Sequence, residues 1–129
     1  MPTTLINPDG LPTIDVYHQV AVTTGTRTIY VAGQVAWDSE PDLALQTEQA
    51  YVNVHTALQG AGASITDLVK VTVYVVDWTP DKMPALLKGI ENAMARIGVT
   101  AKPPASLIGV ATLDVPEHLV EIEAVAVTD

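Results

Sequence analysis

Val120-Glu121-Ile122-Glu123-Ala124-Val125-Ala126-Val127, near the end of the chain, decides how the fold is read. Side chains alternate across a strand. Val120, Ile122, Ala124 and Ala126 therefore share one face, and Glu121 and Glu123 share the other. A few residues upstream, Lys102-Pro103-Pro104-Ala105-Ser106 leads into a second extended run, Ala105 to Val110.

The clearest strand lies further back. From Val69 to Val76, four valines at spacing two face one way while Lys70, Thr72 and Tyr74 face the other. Between these strands the spacing turns helical. Met83, Leu86, Leu87, Ile90, Met94 and Ile97 form one stripe, opened by Thr79-Pro80-Asp81 and closed by Gly98 where a left-handed cap belongs. An earlier stripe runs through Leu43, Ala50, Val54, Ala57, Leu58 and Ala61, from the Ser39-Glu40-Pro41-Asp42 helix start to Gly60 and Gly62. Val20–Thr23 and Thr28–Ala32 flank Thr24-Gly25-Thr26 and read as a hairpin. The order β-β-α-β-α-β-β predicts a single α+β domain over residues 1–129. Its mixed sheet carries both helices on one face. The other face is too apolar in places for water, so self-association is expected.

Composition narrows the function classes. The 129 residues carry a net charge of −9, with six scattered cations: Arg27, Lys70, Lys82, Lys88, Arg96 and Lys102. Nucleic-acid affinity rests on phosphate contacts, so RNA, DNA and anionic membranes are disfavoured partners. With no cysteine, disulfides, thiolate catalysis and cysteine-zinc sites are excluded. His18, His55 and His118 match no metal-ligand spacing, and no phosphate-binding glycine motif follows a strand. No metal or cofactor is expected. No apolar run reaches the roughly 18 residues that span a bilayer, and Met1-Pro-Thr-Thr lacks the features of a signal peptide. The expectation is a soluble cytoplasmic protein.

The C-terminal segments resemble the reactive-intermediate deaminase (RidA/YjgF) family, whose members carry a Pro-x-Arg-Ser strand start and a closing Glu-Ile-Glu-Ala-Ile-Ala-Val strand. Pro103, Ser106 and Glu121–Val127 match this pattern. So do Tyr17-His18-Gln19, Gly33-Gln34, Gln46-Thr47-Glu48-Gln49 with Asn53, and Val71–Val75 before Asp77. The resemblance implies a homotrimer with small-molecule sites in the clefts between subunits, and hydrolysis of imines or enamines. It places Glu121 as the catalytic carboxylate that handles water. Tyr17, Gly33, Ala105, Ser106 and Leu107 would line the substrate.

One departure matters. The family's arginine, which grips the substrate carboxylate, falls on Ala105. Losing such a charged partner removes about 2–3 kcal/mol of carboxylate binding. Lys102, Arg27 and Lys70 are the cations to consider as replacements, and none is convincing from sequence. Leu107, Gly109 and Trp37 make the pocket more apolar than is usual in the family. The expected substrate is thus a labile imine or enamine other than a simple 2-imino acid. A non-catalytic trimer that binds an apolar small molecule is the alternative.

Overall fold

The computed structural model describes residues 2–129. Its strands are β1 (Thr3–Ile6), β2 (Val20–Thr23), β3 (Arg27–Gln34), β4 (Leu68–Val76), β5 (Ala105–Val110) and β6 (Val120–Thr128), and its helices are α1 (Leu43–Gly60) and α2 (Met83–Ile97). Four strands form one sheet in the order β3-β6-β4-β5. β6 runs antiparallel to both β3 and β4, and β4 runs parallel to β5 across the α2 crossover. This is the mixed α+β architecture that the alternating patterns predict.

Each helix is bounded as its sequence dictates. Asp42 caps α1, its carboxylate accepting from the Leu45 amide at 2.9 Å. Gly98 ends α2 with φ +88°, a conformation costly to side chains with a Cβ. α1 buries Ala50, Val54 and Leu58 against the sheet residues Val71, Val73, Val75, Ile122 and Ala124. Gly89 brings the two helices close: a Cβ there would sit 2.6 Å from the Ala44 carbonyl oxygen. With α2 held at Gly89, its buried residues are Leu86, Gly89 and Ala93, and Met83 is exposed. Ile90 and Met94 pack against the core as the stripe predicts, and with Leu87 they also line a groove of about 690 Å³ that borders Asp15 and Val16.

The hairpin is corrected. β2 pairs with β1, Thr3 opposite Thr23 and Ile6 opposite Val20, and β3 pairs with β6. The tight hairpin turns need positive φ, and Gly25 lies outside that region. Gly25 serves a close approach instead: a Cβ there would meet Val127 Cγ1 at 2.6 Å and the Thr128 carbonyl oxygen at 2.7 Å. The chain crosses the end of β6 at this point, which separates β2 from β3.

Candidate functional site

The sheet has two faces of different chemistry. Val71, Val73, Val75, Val120, Ile122 and Ala124 point to the helices and are buried. Lys70, Thr72 and Tyr74 of β4 and Glu121, Glu123 and Val125 of β6 occupy the open face. Tyr74 stands opposite Glu121, and Thr72 opposite Glu123.

Gly33 and Glu121 form one half of the predicted site. β3 has an irregular register between Val31 and Gln34, so Gly33 lies in a bulge beside β6. The Glu121 side chain folds over the Gly33 backbone. A Cβ on Gly33 would fall inside its carboxyl group, 2.7 Å from Cγ. A side chain at position 33 would displace the Glu121 carboxyl, and the half-buried carboxylate lies against bare main chain. Beside it, the Tyr74 hydroxyl donates a hydrogen bond to Glu123. That bond first, then burial and the two carboxylates, raises the Tyr74 phenol above its ordinary value. Tyr74 and its tie to Glu123 were not foreseen. Only their shared face was legible, from the period of two.

Ala105, Ser106 and Leu107 lie on β5, at the other edge of the sheet. Ala105 pairs with Val71 and Leu107 with Val73, so both belong to the helix-side face, whereas Ser106 pairs with Thr72 on the open face. Tyr17 sits in the loop before β2, where it bridges Ile14. That loop is fastened near the start of β5: the His18 amide and Nδ1 lie 3.0 and 2.7 Å from the Lys102 carbonyl oxygen. Tyr17 and Ala105 thus belong to one end of the molecule. Glu121 and Gly33 belong to the other, two and three strand spacings from β5, or about 10 and 14 Å across the sheet. One chain does not bring the predicted residues into a single pocket.

The three cations weighed as substitutes for the arginine can now be placed. Lys70 Nζ donates to Ser106 Oγ at 2.7 Å. It therefore lies on the open face, opposite to the face of Ala105. Arg27 is held by the Ala61 carbonyl oxygen at 2.5 Å, at the far end of β3. Lys102 is exposed beside the loop that carries Tyr17.

Several polar residues proved structural. Gln46 is 1% exposed. Its amide donates to the Glu40 and Glu117 carbonyls, each at 3.0 Å, and its oxygen accepts from the Leu119 amide at 2.9 Å. It fixes the chain entering β6 and so the position of Glu121. His55 lies on α1 with Nδ1 buried and unpartnered. Among the described residues, no group of three His, Cys, Asp or Glu could hold a metal ion, and no helix is long and apolar enough to cross a membrane.

Gly33 packed under Glu121 thus sits at the edge of a mixed sheet backed by two helices, a small α+β fold. The chain belongs to the endoribonuclease L-PSP family, whose pattern it matches over residues 9–128. It is similar in structure to a conserved Rid family protein of Yersinia pestis, YyfB, with a TM-score of 0.86, 32% identity, and 98% of this chain and 99% of that one covered. A RutC family protein of Pyrococcus abyssi is 44% identical over 55 residues, which span 38% of this chain and 43% of the archaeal protein. A 2-iminobutanoate/2-iminopropanoate deaminase of Dermatophagoides farinae is 28% identical over 109 residues, 79% of each chain.

Proposed function

We propose that this chain is a small-molecule deaminase-type hydrolase acting on a labile imine or enamine other than a simple 2-imino acid. The observation that carries the reading is Glu121 folded over the bare backbone of Gly33. A carboxylate held there can orient a water against a planar C=N group lying flat on the glycine. Glu121 takes a proton from the water as its oxygen bonds to the imine carbon, and returns that proton to nitrogen. The C–N bond of the resulting carbinolamine then breaks as its hydroxyl proton passes, through Glu121, to the departing nitrogen. A carbonyl forms, and the amine or ammonia leaves.

The site is completed between chains. The Glu121–Gly33 edge of one subunit faces the Tyr17–Ala105–Ser106–Leu107 edge of the next, and three copies close the ring. The open face supports this reading, because Tyr30 is 79% exposed there beside Val125. The placement of Lys70 supports the restriction on substrate: its ammonium lies on the face opposite Ala105 and is engaged by Ser106.

The ribonuclease activity in the family's name is the weaker reading. Net charge is −9. Arg27, Lys70, Lys82, Lys88 and Arg96 each have a partner within the chain, so they form no free basic track.

The test is hydrolysis of a neutral aromatic imine, N-benzylidenemethylamine, to benzaldehyde and methylamine. We expect the native protein to accelerate it and Glu121→Gln to return it to the blank rate with the oligomer intact. Equal rates for native and variant would refute the role of Glu121. Ligand-induced thermal stabilisation without turnover would favour a binding module instead.

A further inference from the structure

The loop after β3 and the loop before β6 meet near the Glu121 end of the sheet. Between them lies a small pocket of about 250 Å³ whose lining includes Trp37, Asp38, Ser39, Glu117 and His118. His118 is 3% exposed, and its Nδ1 lies 2.6 Å from Asp114 Oδ1. An ionised carboxylate only accepts, so the imidazole donates from Nδ1, and the bond holds the Asp114 carboxyl below its ordinary range. In its neutral form, an imidazole that donates from Nδ1 presents a lone pair at Nε2. No hydrogen bond among the described residues uses Nε2, and it is not one of the sealed, unpartnered atoms. The Trp37 ring stands edge-on to His118, with centroids 4.6 Å apart and planes at 82°. Yet Trp37 is 65% exposed, a large apolar surface left open at the pocket wall.

These parts select a chemistry. In that neutral form the free imidazole nitrogen accepts a hydrogen bond, so the occupant donates one. Asp38 and Glu117 make the surroundings acidic, so the occupant is favoured if positive. The aromatic wall suits a cation or the carbon next to it. A metal ion is disfavoured, since no three such groups among the described residues converge. We propose that this pocket binds the ammonium group of a small organic amine, N–H to His118 Nε2, against Trp37. The proposal stands independently of imine hydrolysis at Glu121.

The experiment titrates 15N-labelled protein with propylammonium chloride, and in parallel with 1-propanol and with propionate, while the ring nitrogens of His118 are followed by NMR. The expected result is a saturable shift at Nε2 with propylammonium alone. Trp37→Leu, at an exposed position that leaves the fold intact, should weaken binding about three- to thirtyfold, the range of a cation–aromatic contact. Asp114→Asn should weaken it as well, by releasing the imidazole from its tautomer. The proposal is overturned by the absence of a saturable shift, by an equal response to 1-propanol, by binding of propionate instead, or by unchanged affinity in Trp37→Leu.

Discussion

The two edges of the sheet differ in what they offer a ligand. At the β3–β6 edge, a carboxylate is pressed onto bare backbone, and a buried glutamine fixes the chain that leads to it. At the β5 edge, Ala105 is a small apolar residue and the nearby ammonium of Lys70 is engaged by Ser106 on the opposite face. On the proposed reading, the first edge handles water and the second lacks the family's arginine. Hydrolytic chemistry and substrate choice would then reside on separate strands and could diverge independently.

The sharpest way to break the contrast is at Gly33. Gly33→Val puts a side chain where the Glu121 carboxyl lies. It should lower imine hydrolysis by about three orders of magnitude, within the usual range for a lost proton-transfer group, and steady-state rates at fixed oligomer concentration would check it. Next is Gln46→Ala. It leaves two carbonyls and the Leu119 amide without their partner in a partly buried position. It should cost about 3 kcal/mol, read as a lowered urea midpoint. A comparable effect of the opposite kind is expected at the other edge. Ala105→Arg should improve binding of a carboxylate-bearing substrate about a hundredfold, equivalent to about 2–3 kcal/mol. Hydrolysis of 2-iminobutanoate, supplied from threonine by a dehydratase, would show it as a gain over the native chain.

The smallest effect concerns Tyr74. Its folded pKa is raised above the ordinary value of 10.0 by the bond to Glu123. The protonated phenol therefore stabilises the fold below pH 10, and this contribution is lost as pH rises through the folded value. Stability of the native protein should fall in alkali more steeply than that of Tyr74→Phe, with the difference constant at neutral pH. Parallel pH-dependent denaturation curves would show no interaction between Tyr74 and Glu123.

What the sequence made legible follows from periodicity. Val71, Val73 and Val75 alternate with Lys70, Thr72 and Tyr74 because one sheet face is buried and the other open, so the central strand and its two faces could be read directly. Asp42 and Gly98 mark helix ends by chemistry that acts within a few residues. The misses involve partners distant in sequence. β1 is only four residues long and pairs with β2, a contact without a local signal. Gln46 looks like an interruption of an apolar stripe, since its partners lie in the chain entering β6. Gly33 could be singled out, but its reason could not, because the group that fills its missing Cβ comes from Glu121. The Trp37–His118 contact joins two loops for the same reason.

The central claim is that the two edges complete one site only between neighbouring chains. It is tested most directly by mixing two disabled variants, Glu121→Gln at one edge and Ala105→Trp at the other. Each alone should leave imine hydrolysis at the blank rate. Reassembled together in equal amounts, they should recover about a quarter of the native rate, because about one in four randomly formed clefts joins two intact edges. A mixture no faster than its separate parents would contradict a shared site.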